Sequence, residues 1–368
     1  MVMGKPKQNL SLRDPNMHSP LDNSVCCDAS SKSTGNYSGA TPKDLLARIQ
    51  DHVEEYDLPS KRAANRLDVE YGKSRVSYAV GDTGFSVGIT AKDSGQVYQT
   101  REAVNYLLDH VFPQASQEMT WSGEEISSTN PPNFQICHVL SVSRVSANFL
   151  RVVLKCEDVT RLSSGAIHFS PLIPPEGQPV VWPTLNDRKR TVWPTGDEKL
   201  HRAVYTFVDF DLAANSFSFD IYEHAGGHTT RWAQSALPGK VVGITGPGGG
   251  EFPVSDKLLM AGDETALPAI RRILACAPKH TIGLTIIEVG DPSEIIPFAC
   301  PAGVQIDWVV RTKDDGLWTK LSQIKHVPKD TFVWVAAERE IVRKAKDAFL
   351  KMGVDKTASY FSRYWSYD

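Results

Sequence analysis

The strongest constraint on the fold comes from the C-terminal third of the chain, where five apolar runs alternate with helical segments. The runs cover residues 257–261, 281–289, 304–310, 331–337 and 360–365. Helices are predicted between them at residues 266–276, 317–324 and 338–352. Strands separated by helices form parallel sheets with right-handed crossovers. The sequence therefore predicts an α/β domain with a parallel sheet over residues 254–368.

A different pattern fills residues 134–253, where short runs of alternating apolar residues are separated by turns. Many short strands of this kind are typical of an antiparallel barrel or sandwich. We predict an antiparallel β-barrel domain, with residues 179–200, which contain Pro, Trp and several cations, as a long loop on it.

The N-terminal third predicts a tail, a small domain and a linker. Residues 1–40 contain no Phe, Trp or Ile and are rich in Ser, Asn and Asp, a composition too polar to bury a core. Residues 41–116 combine amphipathic helices with alternating strands and predict a small α+β domain. Residues 117–133, which include two adjacent prolines, are predicted to be a linker.

Composition excludes several classes of protein. The formal net charge is −3, which argues against a globally basic nucleic-acid binder. The six cysteines include no C-x-x-C pair, so neither a zinc ribbon nor a Cys-rich iron–sulfur cluster is indicated, and we expect no metal site. No run approaches the roughly 18 apolar residues of a membrane span, and no secretory signal is visible. We expect a cytoplasmic protein that acts as a monomer.

Two segments of the predicted barrel contain groups that suit a flavin nucleotide. Arg202, Tyr205 and Thr206 offer a cation for a pyrophosphate, an aromatic face and a hydroxyl within five residues, although an ordinary strand would also contain such residues. Further along, Gly227 and the hydroxyls that follow it precede a helical turn, which predicts an anion site at a helix N-terminus. A simple capped helix explains the second segment equally well.

Two segments of the predicted α/β domain lie at the carboxyl edge of its sheet, where such domains bind nucleotides. Asp263 and Glu264 follow the first strand and suit hydrogen bonds to a ribose or an amide, or simply a helix start, with Thr265 predicted as the N-cap. The other segment consists of residues 334–338 together with residues 360–365, which are expected at the same edge of the sheet. In it, Trp365 either covers a flavin or another ligand or completes a core.

Taken in this order, these segments resemble the siderophore-interacting proteins, flavin-containing ferric-siderophore reductases of the ferredoxin-reductase-like superfamily. The resemblance covers residues 134–365, and its most specific piece is residues 262–269 (GDETALPA). Residues 42–113 resemble a small domain of unknown function that accompanies the family in some chains. The resemblance implies FAD as cofactor, NADPH or NADH as electron donor and a ferric siderophore as substrate.

The resemblance also implies roles for individual residues. The residues expected beside the flavin are Asp263, Glu264 and Thr265. The expected cofactor-binding residues are Arg202, Tyr205, Thr206, Phe207, His224, Gly227, His228, Thr229, Thr230, Trp232, Ala266 and Trp365. Those expected to contact NAD(P)H are Arg311 and Glu338.

Ferric siderophores are often anionic, so a basic mouth is expected, for which the candidates are Arg188, Lys189, Arg190, Arg231 and Arg363. A solvated loop is the alternative for residues 188–190. The chain departs from the family pattern at Ala203, where an Arg is usual, and at Arg363, where a Gly is usual. Arg202 and Arg363 are candidates to supply charge from neighbouring positions.

The function expected from these residues is flavin-dependent reduction of Fe(III) to Fe(II) in a bound siderophore. Orientation and electrostatics would suffice, with no protein acid or base. One alternative is a general NAD(P)H:flavin or quinone reductase on the same fold. The other is a non-catalytic siderophore-binding protein, in which the small N-terminal module binds a partner.

Overall fold

A computed structural model describes residues 30–55, 58–123, 128–224, 226–250, 252–312 and 316–367. Within these residues the chain forms three successive units, an N-terminal α+β unit, an antiparallel barrel and a parallel α/β domain. The predicted fold class is confirmed. No helix in the described ranges combines the length and the apolar character needed to cross a membrane.

The N-terminal unit is an antiparallel sheet in the strand order β2-β3-β4-β5-β1-β6. Its strands are β1 (Ser31–Ser38), β2 (Ser60–Ala63), β3 (Arg66–Tyr71), β4 (Ser74–Gly81), β5 (Gly84–Ala91) and β6 (Thr120–Gly123). Its helices are α1 (Leu45–Glu55), α2 (Ser94–Val111) and α3 (Pro113–Glu118). Asp93 caps α2 by accepting a 2.9 Å hydrogen bond from the Gln96 N–H. Apolar side chains of the helices and the alternating strands share one core, to which Ile49, Tyr78 and Val87 contribute fully buried side chains.

The predicted tail is wrong for residues 31–38, which form β1 in the interior of this sheet. Ser33, Gly35 and Tyr37 point inward, and a Cβ at Gly35 would lie 2.4 Å from the Met119 sulfur. The strand is held by backbone hydrogen bonds to β5 and β6 on either side. Composition missed it because its inward face is made largely of small residues whose apolar cover comes from neighbouring elements. Residues 1–29 of the predicted tail lie outside the described residues.

The predicted linker is likewise wrong for residues 120–123, which form the edge strand β6. Trp121 packs against the N-terminal core and lies beneath the Arg101 guanidinium at 5.1 Å. The N-terminal unit therefore extends from β1 to β6, beyond both predicted boundaries.

The barrel closes through six antiparallel strands in the order β9-β13-β14-β8-β7-β15, with β15 pairing back onto β9. These strands are β7 (Phe134–Ser146), β8 (Phe149–Cys156), β9 (His168–Ile173), β13 (Tyr205–Asp211), β14 (Ser216–Tyr222) and β15 (Val241–Gly248). Smaller elements are β10 (Thr184–Leu185), β11 (Thr191–Val192), β12 (His201–Arg202), α4 (Val159–Ser163) and α5 (His228–Ser235). Inward-facing aromatic rings fill the barrel, as in the 4.5 Å stack of Phe169 on Phe207.

The third unit is a parallel sheet in the order β18-β17-β16-β19-β20. Its strands are β16 (Lys257–Gly262), β17 (Ile282–Val289), β18 (Gly303–Val310), β19 (Thr331–Glu338) and β20 (Ser359–Trp365). Its helices are α6 (Leu267–Cys276), α7 (Leu317–Gln323) and α8 (Arg339–Lys351). The strand order reverses beside β16, so the carboxyl ends of β16 and β19 flank the topological switch point where open α/β sheets bind ligands.

Candidate flavin and nicotinamide sites

The first site is a cradle on the barrel formed by His224, Gly227 and Thr230 at the start of α5. A Cβ at Gly227 would lie 2.9 Å from the His224 ring and 2.9 Å from the Thr230 hydroxyl, so only glycine lets these two side chains approach the backbone this closely. Thr230 is 7% exposed, and within the described residues its hydroxyl oxygen has no hydrogen-bond partner. Leaving a buried hydroxyl unpaired costs free energy, so a bound polar group that hydrogen-bonds to Thr230 would stabilise the cradle.

The start of α5 adds the positive end of a helix to this cradle. The first N–H groups of a helix have no acceptor within it and attract anions. Gly227 is the N-cap residue and supplies no side-chain cap to these groups. An unpartnered hydroxyl, a helix N-terminus without a side-chain cap and a backbone that carries no side chain at Gly227 fit a phosphate group, such as the pyrophosphate of the FAD implied by the resemblance.

The start of β13 lies beside the cradle through Thr229. The His201 Nε2 lies 3.1 Å from the Thr229 hydroxyl, and the His201 ring stacks on His228 at 4.9 Å. Burial raises the pKa of the Tyr205 phenol, and the neighbouring Thr229 hydroxyl acts against that rise. Tyr205, predicted to stack on the flavin, therefore lies near the start of α5.

Thr206, the other predicted flavin contact on β13, begins a buried hydrogen-bond chain. Its hydroxyl lies 3.1 Å from the His168 Nδ1, and the opposite nitrogen of that ring lies 3.0 Å from the Tyr364 hydroxyl. Burial lowers the pKa of His168 to about 4, so the imidazole is neutral at pH 7. The chain connects the barrel to β20 of the α/β domain. Sequence reasoning missed His168, although a histidine at the start of an apolar strand was a usable signal.

Asp263 joins three elements at the carboxyl edge of the parallel sheet. Its Oδ1 accepts hydrogen bonds from the Thr265 N–H and hydroxyl at 3.0 and 2.6 Å. Its Oδ2 accepts from the Glu338 N–H at 3.0 Å and from the Trp365 indole at 2.8 Å. Burial raises the pKa of this carboxyl. Four internal donors occupy Asp263, so it shapes the edge of the sheet. The prediction that Thr265 is the N-cap of α6 is wrong, because its hydroxyl binds Asp263 and α6 begins only at Leu267.

Glu264 is buried in an ion-pair network with Arg311 and Glu288. Arg311 donates to both Glu264 oxygens at 2.9 and 2.6 Å and to Glu288 at 2.7 Å. Burial alone would lower the pKa of Arg311, but the two carboxylates more than offset this and raise it. Arg311 was predicted to contact NAD(P)H; its donors are largely engaged here, and a third of its side chain remains exposed.

A cavity of about 430 Å³ opens at this sheet edge, beside the start of α8. Glu338, the second predicted NAD(P)H contact, lines it but caps α8 by accepting from the Glu340 and Ile341 N–H groups at 2.6 and 3.3 Å. Arg339 and Lys344 bring exposed cations to the cavity. The lining also includes the carboxylates of Asp263, Glu288 and Glu340, so the cavity brings both signs of charge to the switch point of the sheet.

Three predicted cofactor residues have side chains in hydrophobic cores. Phe207 and Trp232 are buried in the barrel, and Ala266 is buried under the parallel sheet. Their side chains therefore belong to the packing of the two units.

The predicted cations are dispersed. Arg231 donates a 2.6 Å hydrogen bond to the Gly226 carbonyl beside the cradle, whereas Arg363 is exposed on β20. Arg202 stacks on the Trp193 ring at 4.0 Å. Arg190 pairs with Asp109 of the N-terminal unit at 2.7 Å, so the stretch that contains it and Lys189 is anchored and is not a freely solvated loop.

Comparison with known proteins identifies two adjoining family models in the chain. The siderophore-interacting FAD-binding domain matches residues 138–251, and the siderophore-interacting protein model matches residues 255–368. The cradle lies in the first match, and the Asp263 turn and the cavity lie in the second.

Individual relatives extend over the same two units. The NADPH-dependent ferric-chelate reductase of Escherichia coli is 27% identical over 243 residues, which are 64% of this chain and 94% of that protein. The ferric vibriobactin reductase ViuB of Vibrio cholerae is 27% identical over 234 residues, or 60% of this chain and 85% of that protein. The solved structure of a siderophore utilization protein from T. fusca has a TM-score of 0.57 at 27% identity, covering 65% of this chain and 95% of that one.

Proposed function

Since the chain belongs to the siderophore-interacting protein family, we propose that it is a flavin-dependent NAD(P)H:ferric-siderophore reductase that releases iron in the cytoplasm as Fe(II). The chain is a flavin oxidoreductase with FAD as cofactor and NADPH or NADH as electron donor. The ferric siderophore and the release of iron in the cytoplasm are the further steps of the proposal, and both are open to direct assay.

The observation that carries the proposal is the incomplete cradle at the start of α5. A buried hydroxyl on Thr230 lacks a partner within the described residues, and the His224 ring and the Thr230 hydroxyl close on the bare backbone of Gly227. In the proposal these groups and the first N–H groups of α5 bind the FAD pyrophosphate, while Tyr205 and Thr206 bind the isoalloxazine. Arg231, which donates to the Gly226 carbonyl, adds a cation at the same turn.

The cavity beside α8 is the proposed site for the phosphate groups of NAD(P)H. Arg339 and Lys344 supply the cations for these phosphates. Asp263 and Glu338 are held in the lining by their own hydrogen bonds, Glu338 as the cap of α8. The proposed contribution of the protein is to orient one nucleotide at the start of α5 and the other at the carboxyl edge of the parallel sheet.

When bound, FAD would accept one hydride and pass on its two electrons one at a time. The described side chains need only orient the reactants and screen their charge. His168 is neutral at pH 7, so it adds no charge to the Thr206 end of the flavin site. Reduced iron leaves more readily because hard oxygen donors, which suit Fe(III), hold the softer Fe(II) less tightly.

The test is a ferrous-trapping assay on the full chain. The purified protein, reconstituted with FAD where needed, is mixed with NADPH or NADH, a ferric chelate and ferrozine. We expect a visible flavin band and a rise in the ferrozine complex with ferric citrate or a ferric catecholate. Equal activity with quinones and free flavin, without preference for ferric chelates, would replace the proposal with a general reductase. Chelate binding by a protein that takes up no flavin would replace it with a binding protein.

A further inference from the structure

The N-terminal unit grips a long loop of the barrel, residues 179–200, here called the barrel loop. The contacts come from the outward side of α2 and from α3. The residues that make them are Tyr98, Arg101, Glu102, Asp109 and Ser116. The tip of the barrel loop therefore does not stand free in solvent.

The central contact is a two-point ion pair. Arg190 donates to both oxygens of Asp109, at 2.7 and 3.2 Å. Ser116 orients the same carboxylate by donating to it at 2.6 Å. Although burial alone would raise it, the hydrogen bonds from Arg190 and Ser116 lower the pKa of Asp109. The bidentate geometry fixes the direction of Arg190 as well as its distance.

Three further contacts hold the backbone on either side of Arg190. Arg101, only 6% exposed, donates a 2.6 Å hydrogen bond to the Arg188 carbonyl. Tyr98 hydrogen-bonds to the Thr191 hydroxyl, and Glu102 accepts from the Thr191 N–H at 3.3 Å. Burial raises the pKa of Tyr98 to about 12, so this phenol stays neutral and able to donate.

The tip between these contacts is a tight turn. The Asn186 side chain accepts hydrogen bonds from the Arg188 and Arg190 N–H groups, both at 3.0 Å. Lys189 has a φ of 58°, which a non-glycine residue adopts at a cost. A strained turn keeps this conformation only where its surroundings hold it, and here α2 is that surrounding.

The other end of the barrel loop reaches the proposed flavin site. Trp193 lies under the Arg202 guanidinium at 4.0 Å, and the chain then runs into β12. His201 on β12 contacts Thr229 and stacks on His228 at the start of α5. The barrel loop is thus held at its tip by α2, and at its C-terminal end it leads into His201, which contacts the first residues of α5.

We propose that α2 positions the barrel loop beside the flavin site and thereby sets the affinity for the ferric chelate, with Asp109 and Arg101 as positioning residues. This inference rests on the proposed reductase function. At the tip held by α2, Arg188 is exposed and Lys189 is half-buried. The contacts with α2 thereby fix the position of two cations that attract an anionic chelate.

The test replaces one partner of the ion pair on α2. Asp109→Asn removes the charge but keeps the size, and Asp51→Asn on α1, an exposed carboxylate far from the loop in sequence, is the matched control. Hydrogen–deuterium exchange of peptides over residues 184–202 reports on the loop directly. We expect exchange over residues 184–202 to be faster in Asp109→Asn than in wild type and unchanged in the Asp51→Asn control. In the double variant Asp109→Arg/Arg190→Asp the exchange rate should return towards that of wild type.

Steady-state kinetics then ask whether the positioned loop serves the substrate. With ferric citrate we expect Asp109→Asn to raise KM about threefold to tenfold with little change in kcat, since one partly exposed ion pair is lost. Menadione, a small uncharged acceptor, should show no such rise in KM. Unchanged exchange over residues 184–202, or faster exchange with an unchanged KM for ferric citrate, would overturn the inference. A wild-type protein that reduces no ferric chelate would instead overturn the proposed function, and the exchange data would still decide whether α2 holds the loop.

Discussion

The Trp365 indole donates a 2.8 Å hydrogen bond to Oδ2 of Asp263, which joins the end of the last strand to the turn after the first strand of the parallel sheet. The same oxygen accepts from the Glu338 N–H. Trp365 is therefore part of the sheet edge at which the proposed NAD(P)H site lies.

Trp365→Phe keeps an aromatic ring but removes one donor to a buried carboxylate. We expect the free energy of unfolding to fall by about 2 kcal/mol, because a charged acceptor loses a hydrogen bond without regaining water. Urea denaturation followed by circular dichroism measures this. Tyr367→Phe, which removes only a hydroxyl from a residue that is 74% exposed, should have almost no effect. Equal stabilities of the two variants would show that the bond to Asp263 contributes nothing.

The buried His168 predicts a loss of stability in mild acid. Its pKa falls from about 6.5 in the unfolded chain to about 4 in the folded one, so between these values the unfolded state binds the additional proton. The contribution of the neutral imidazole to the free energy of unfolding is therefore fully present above pH 6.5. It is lost as the pH drops towards 4, by about 3 kcal/mol in total.

The measurement compares unfolding free energies across this pH range in His168→Gln and in His326→Gln, an exposed control. The difference between wild type and His168→Gln should shrink as the pH falls, whereas the control should track wild type. A constant difference for His168→Gln at every pH would contradict the assignment of a neutral buried imidazole.

Gly227→Ala tests the close packing of the cradle. The added Cβ would lie 2.9 Å from the His224 ring and the Thr230 hydroxyl, so both must shift and the cradle narrows. We expect FAD to bind about tenfold more weakly, which fluorescence titration of the flavin-free protein measures. Gly88→Ala on β5, where a Cβ meets nothing within 4 Å, is the control. Equal FAD affinity in the two variants would argue against a phosphate at Gly227.

Thr230→Val separates stability from ligand binding. The side chain keeps its shape while losing a buried hydroxyl that has no protein partner in the described residues, so the flavin-free protein should gain about 1 kcal/mol of stability. FAD affinity should fall at the same time. Thr229→Val should instead destabilise the flavin-free protein, because that hydroxyl bonds to His201. A loss of stability in Thr230→Val would mean that its hydroxyl serves the fold.

The sequence predicted the elements that carry their own periodic signal. The apolar runs of the parallel sheet and the alternating runs of the barrel were both recognised, because each strand buries large side chains of its own. β1 was missed because Ser33 and Gly35 on its inward face carry no such signal, and its place depends on partners more than forty residues away along the chain.

The candidate site divides in a similar way. The cradle at Gly227 was predicted because its residues are local in sequence and its chemistry resides in one turn. The hydrogen bonds of Asp263 could not be predicted, since they depend on β16, β19 and β20 being neighbours in the sheet. The pairing of Arg190 with Asp109 required the docking of one unit on another, which no local pattern indicates.

The most direct test of the central claim is an anaerobic titration of the FAD-loaded protein. NADPH is added first, and ferric citrate with ferrozine is added after the visible flavin band has been bleached. We predict that the ferric chelate restores the band and that two ferrous complexes form for each flavin, since a hydride carries two electrons. A protein that binds no FAD, or a bleached band that ferric citrate leaves unchanged, would contradict the account.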